Sequence, residues 1–134
     1  MTCRRSGAGV GVLNGYLYAI GGHDGPLVRR SVEKYEPLSK SWTPVADMAL
    51  CRRNAGNFNN NHNPFWISLI SVLLSLSGVV VYDGFLYVVG GDDGTANLSS
   101  VEVYDPVKNA WSMLPACMGI GRSYAGVAVI NKPF

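Results

Sequence analysis

Three arginines recur in one local pattern. Arg5-Ser6-Gly7-Ala8-Gly9, Arg52-Arg53-Asn54-Ala55-Gly56 and Arg122-Ser123-Tyr124-Ala125-Gly126 all read R-x-x-A-G, and each Arg follows a Met by four residues. A guanidinium is suited to two-pronged binding of a carboxylate or to bridging backbone carbonyls. Two further clusters, Gly21-Gly22-His23-Asp24-Gly25 and Gly90-Gly91-Asp92-Asp93-Gly94, add acidic turn residues. Catalytic patterns are missing. The two histidines, His23 and His62, have no motif partner, and no GxSxG, HExxH or phosphate-loop string occurs. The glycines of 7–11 lead into no helix, so a phosphate cradle there lacks its dipole. Asp24, Asp92 and Asp93 are better explained as turn formers than as calcium ligands. No enzyme activity, cofactor or metal is expected.

The elements that must place these residues follow from the spacing. Gly21-Gly22 recurs as Gly90-Gly91, Tyr35 as Tyr104 and Trp42 as Trp111, each pair 69 residues apart, whereas Arg5 and Arg52 are 47 apart. The difference of 22 is the segment 57–78. Within the first copy, 8–13 and 16–20 are apolar runs around Asn14-Gly15, a hairpin signal because both turn positions need positive φ. A loop over 21–26, a third strand over 31–35 and a fourth over 42–46 complete a four-stranded meander. The second copy predicts strands over 79–82, 85–89, 100–104 and 111–114 around the Asp83-Gly84 turn. Four strands per unit and a period near 47 predict an all-β propeller: two blades, with a third copy begun. Tyr35, Tyr104, Trp42 and Trp111 are expected to pack between blades, and the paired glycines Gly21, Gly22, Gly90 and Gly91 to serve backbone conformation.

Strands one and two of a blade are antiparallel, so the start of one and the end of the other share a rim. That rim should carry Arg5, Ser6, His23, Asp24, Arg52, Arg53, Asn54, Asp92, Asp93, Arg122, Ser123 and Tyr124. An acidic extended peptide is the ligand such arginines suit. The competing reading pairs each Arg with a neighbouring-blade Asp or a backbone carbonyl.

The strings CRRNAG, GGHDGP, GGDDG and GRSYAGV resemble the C-terminal propeller of the kelch-like (BTB-BACK-kelch) proteins, most nearly the ring canal kelch protein and its kelch-like relatives. The resemblance divides the chain into a blade over 1–50, a blade over 51–118 interrupted at 57–78, and a closing strand within 119–134. It implies an incomplete six-bladed ring and substrate recognition for a cullin-RING ubiquitin ligase, with acidic degrons on the rim. The cullin would be reached only through BTB and BACK regions outside this chain. The alternative it implies is actin binding in the cytoskeleton.

Composition sets few further bounds. Net charge is +2, with basic residues scattered rather than clustered, so no nucleic-acid partner is expected. Three cysteines in no paired spacing suit a reducing, cytoplasmic setting. The segment 57–78 has a polar head and an apolar tail over 65–76. A membrane span needs about 20 apolar residues, and this tail is shorter, so no membrane partner is expected. The segment reads instead as a translated short intron: Gly-Asn-Phe can encode a splice donor, Ser-Gly an acceptor, and excision keeps the frame. Its absence from mature transcripts is the expected observation.

Overall fold

A computed structural model of the chain describes residues 1–55, 78–127 and 129. The interrupting segment lies outside these residues except for Gly78, and so does most of the expected closing strand. The described residues contain ten strands and no helix. The first sheet contains β1 (Gly9–Leu13), β2 (Tyr16–Ile20), β5 (Val32–Glu36) and β6 (Ser41–Val45), hydrogen-bonded in that order. The second contains β7 (Val79–Tyr82), β8 (Phe85–Val89), β9 (Val101–Asp105) and β10 (Ala110–Met113), again in sequence order. All pairings are antiparallel, as a meander with short connections requires. Two such blades leave the ring open.

Local chemistry explains the turns. Asn14 and Gly15 sit at φ 52° and 80°, and Asp83 and Gly84 at 48° and 78°. These left-handed pairs match the twist of the strands they join. The expected loop over 21–26 instead folds into a small ribbon of β3 (His23–Asp24) and β4 (Leu27–Val28), turned by Gly25 at φ 56°.

Strand ends differ from expectation by one residue, for a specific reason. Ser31 and Ser100 lie before β5 and β9 because their carbonyls and hydroxyls receive the guanidiniums of Arg5 and Arg52. Ala46 lies beyond β6. Its carbonyl accepts from Trp111 Nε1 at 2.9 Å, and its N–H donates to Asn109 Oδ1 at 3.0 Å, so it ties blade to blade instead of extending the ladder.

The core lies between the two sheets. Leu13, Tyr18, Ile20 and Val32 of the first blade are buried against Val79, Leu86, Val88 and Tyr104 of the second. Alternation puts these residues on facing sides of the sheets. Tyr18 and Tyr104 rings tilt at 5.7 Å between centroids. Where β1 meets the second blade, a Cβ on Gly9 would lie 2.5 Å from Val79 Cγ2, and one on Gly11 2.9 Å from Leu86 Cδ2. The glycine run is thus explained by the crowding of the neighbouring blade.

Candidate functional site

The loop leaving blade one runs back along that blade's own strand ends before entering blade two. Met48 N–H donates to the Arg30 carbonyl, Arg52 N–H to the Arg29 carbonyl, and Gly22 N–H to the Arg52 carbonyl, at 2.8–3.0 Å. The glycine pair makes this approach possible: a Cβ on Gly21 would overlap the Arg52 carbonyl, and Gly21 and Gly22 sit at positive φ. Gly90-Gly91 repeats the arrangement against the Arg122 carbonyl.

This path carries the Arg52 side chain into blade two. Its Nε donates to Glu102 Oε1 at 3.0 Å, Nη1 to the carbonyls of Gly90 (2.5 Å) and Ser100 (3.2 Å), and Nη2 to Ser100 Oγ at 2.7 Å. Glu102 also accepts from the backbone N–H groups of Ala49 and Leu50. Both side chains are 0% exposed. Burial pulls the guanidinium's pKa down, and the adjoining Glu102 carboxylate opposes that pull.

Arg5 repeats the device on blade one. It bonds Glu33 Oε2 (3.1 Å), the carbonyls of Gly21 and Ser31, and Ser31 Oγ, while Thr2 donates twice to Glu33. Burial alone would raise the Glu33 pKa, but the hydrogen bonds from Thr2 and Arg5 hold it below the usual range. The rim expectation is corrected for these two residues. Arg5 and Arg52 face inward because a buried carboxylate and two carbonyls already take up their donors. The pairing reading holds, with a Glu on the third strand of the blade where an Asp was expected.

Several of the remaining expected residues are joined in pairs at neighbouring strand ends. Ser6 and His23 exchange backbone hydrogen bonds at 2.8 Å, and Arg53 and Asp92 at 2.9 Å, joining strand-one starts to strand-two ends. Arg53 Nε also donates to Asp92 Oδ1 at 2.8 Å. Asp24 lies 3.6 Å from Arg29. Asp93 is occupied locally by Thr95 and Ala96. Those hydrogen bonds lower its pKa, the largest coming from the Thr95 hydroxyl.

A relay of backbone bonds links the three copies: Asn54 N–H to the Gly7 carbonyl at 2.8 Å, and Tyr124 N–H to the Asn54 carbonyl at 2.7 Å. Gly7, Asn54 and Tyr124 all adopt φ between 52° and 60°. Tyr124 is 55% exposed, Arg122 is exposed and Ser123 half-buried.

The Tyr and Trp pairs stack within each blade, Tyr35 on Trp42 at 5.2 Å and Tyr104 on Trp111 at 5.1 Å. Only the second pair is covered by another blade here, and Tyr104 is 2% exposed, donating to Asn109 Oδ1. Burial, with lesser contributions from Tyr18 and Asp105, pushes its phenol up to about 12. Among the described residues no three His, Cys, Asp or Glu side chains could hold a metal ion, and no helix is long and apolar enough to cross a membrane.

Sequence reasoning passed over Glu33, Glu102 and Asn109. A signal existed for the first two: Ser31-Val32-Glu33-Lys34-Tyr35 recurs as Ser100-Val101-Glu102-Val103-Tyr104, an acid repeated at 69 residues inside a strand, each time after a Val.

Comparison with known proteins agrees with this architecture. The Kelch motif family model matches residues 4–49 and 74–118. An F-box/kelch-repeat protein of Arabidopsis thaliana is 33% identical over 114 residues, covering 82% of this chain and 19% of that protein. Kelch-like protein 35 of Mus musculus is 32% identical over 103 residues, 75% of this chain and 14% of the relative. Kelch-like ECH-associated protein 1B of Danio rerio is 39% identical over 101 residues, 72% and 14% respectively. The chain spans less than a fifth of the length of each of these relatives.

Proposed function

The chain belongs to the kelch-repeat family, and from that premise we propose that its polar rim is a protein-binding surface serving substrate recognition for a cullin-RING ubiquitin ligase. The observation that supports this reading is the set of backbone bonds that join Ser6 to His23, Arg53 to Asp92 and Asn54 to Tyr124 at neighbouring strand ends. Backbone groups of Ser6, His23, Arg53, Asn54 and Asp92 are used internally, so these residues offer a partner mainly their side chains. Arg53, its side chain 29% exposed, supplies charge, and Tyr124 supplies exposed aromatic area.

With Arg5 and Arg52 buried, the acidic-peptide preference rests on fewer cations. Arg53 is the residue we assign to a substrate carboxylate. The cullin would be bound by BTB and BACK regions of a longer product, as in the kelch-like proteins the chain resembles, and the setting would be cytoplasmic.

The test is affinity purification of a longer product that carries those regions, with and without the pair of changes Arg53→Ala and Tyr124→Ala. Cullin should co-purify with both forms and client proteins only with the unaltered one. Clients retained by the double variant would sink the rim assignment. Absence of cullin, together with co-sedimentation of the propeller with actin filaments, would move the protein to the cytoskeletal alternative.

A further inference from the structure

We propose that the free edge of β10, the outermost strand of blade two, docks an extended, uncharged segment of a partner protein. That segment adds as an antiparallel strand and sets an apolar side chain beside Ser112. The inference stands apart from the rim reading, since it uses none of the rim residues.

Backbone register opens this edge. Leu114 N–H donates to the Val101 carbonyl at 2.9 Å, and Ser112 and Met113 stand opposite Val103 and Glu102. Alternation therefore turns the backbone groups of Ala110, Ser112 and Leu114 towards β9 and those of Trp111 and Met113 outward. In blade one, β6 repeats this register with Trp42 and Pro44 outward. Pro44 has no N–H to offer an added strand, so that edge is guarded. Its counterpart 69 residues on is Met113, which is 42% exposed.

A second difference falls at the same place. In blade one the Lys34 ammonium lies over the Tyr16 ring, 4.7 Å from its centroid. The counterparts of these two residues are Val103 and Phe85. With no long cation there, Val103 and Phe85 line a hollow of about 200 Å³ beside Ala110, Trp111 and Ser112 of β10. Lys108 and Asp105, which also line it, are paired with each other at 2.9 Å. A cavity of about 150 Å³ holds a benzene-sized group, so a Leu or Phe side chain fits. Neither feature results from an uncovered blade face. Even beneath blade two, Ser41, Thr43 and Pro44 are exposed, and Tyr16 and Lys34 are only half-buried.

Together these differences select the occupant. On an added strand, the residue opposite Ser112 points to the same face as Ser112, where the hollow lies. A second copy of β10, paired by a two-fold axis, would bring only Ser112 or Ala110 to that place and leave the hollow unfilled. A partner strand with a large apolar residue there fills it while its backbone bonds Trp111 and Met113.

The test titrates the chain with an end-capped peptide, Thr-Val-Thr-Leu-Thr-Val-Thr, followed by NMR and amide hydrogen exchange. Binding with Kd on the order of 1 mM is expected. Exchange should slow at the Trp111 and Met113 amides and stay unchanged at Ala110 and Ser112. Met113→Pro should weaken binding about tenfold, and Pro44 shows that a folded blade accepts proline at this position. Val103→Lys, which copies Lys34, should weaken it about fivefold, as should Ala in place of the peptide's Leu. Equal binding by the Met113→Pro chain overturns the proposal, and so does the absence of slowed exchange at Trp111 and Met113. Concentration-dependent self-association that Met113→Pro abolishes assigns the edge to a second copy and overturns it as well.

Discussion

Arg52 and Arg122 stand in the same motif and make the same backbone hydrogen bonds, yet one side chain is fully buried and the other lies in solvent. What separates them is Glu102, a residue 50 positions beyond Arg52 and on another element. The motif therefore fixes where the arginine's backbone goes, and the presence of a following blade decides whether its charge is used. Arg5 and Arg52 are structural keys of the blades that cover them, and Arg122 is exposed with no carboxylate on it among the described residues. Under the proposed function, the side chains left for a partner on this rim are those after the arginine, Ser6, Arg53 and Ser123, together with Asn54 and Tyr124.

The largest expected effect comes from breaking the buried member of the pair. Arg52→Ala leaves Glu102 charged and buried, which costs about 3–5 kcal/mol. That is a large fraction of the total stability of a chain this size, so loss of most folded material is expected. Circular dichroism and denaturant titration measure it. If Arg52→Ala and Arg122→Ala are equally mild, the distinction between them is wrong.

Alkaline titration tests the covered face at intermediate size. Tyr104 has a folded pKa raised to about 12 from 10.0, so its contribution is fully present below pH 10 and is lost as pH rises from 10 towards 12. Two units correspond to about 2–3 kcal/mol. Phenolate absorbance combined with unfolding at each pH should show late ionisation of Tyr104 and of the likewise buried Tyr18, and Tyr104→Phe should remove the Tyr104 signal. Ionisation of every tyrosine near pH 10 would mean that the blades do not cover this ring.

The smallest effect belongs to the exposed rim. Arg53→Ala removes a partly exposed ion pair with Asp92 and should cost at most about 1 kcal/mol, diminished by salt. A loss comparable to that of Arg52→Ala would show that the rim pair is structural and unsuited to partner binding.

The blades were readable from the chain because their determinants are local. Asn14-Gly15 and Asp83-Gly84 announce hairpins through the positive φ they alone tolerate well, and alternation then fixes which faces are apolar. The 69-residue recurrence of Tyr and Trp identified the repeat, and the rim pairing of Ser6 with His23 and Arg53 with Asp92 follows from antiparallel strand ends. The fate of the arginines was not readable from their motif. Exposure of Arg5 and Arg52 depends on Glu33 and Glu102, acids that look like ordinary solvent-facing strand residues until the neighbouring loop covers them. The ribbon over 23–28 was missed because two-residue strands carry no periodicity to detect.

The glycines of β1 have a consequence for shape. Where β1 meets Val79 and Leu86, one blade presents hydrogen atoms and the other presents branched side chains, so the sheets close to contact at that edge. Farther from that edge, Tyr104 of β9 and Trp111 of β10 fill the space with stacked rings. Small at one end and wide at the other, the filling is a wedge. Side-chain volume is thus graded across a single interface. A larger residue at Gly11 would flatten the angle between the blades and change the curvature of any ring the repeats build.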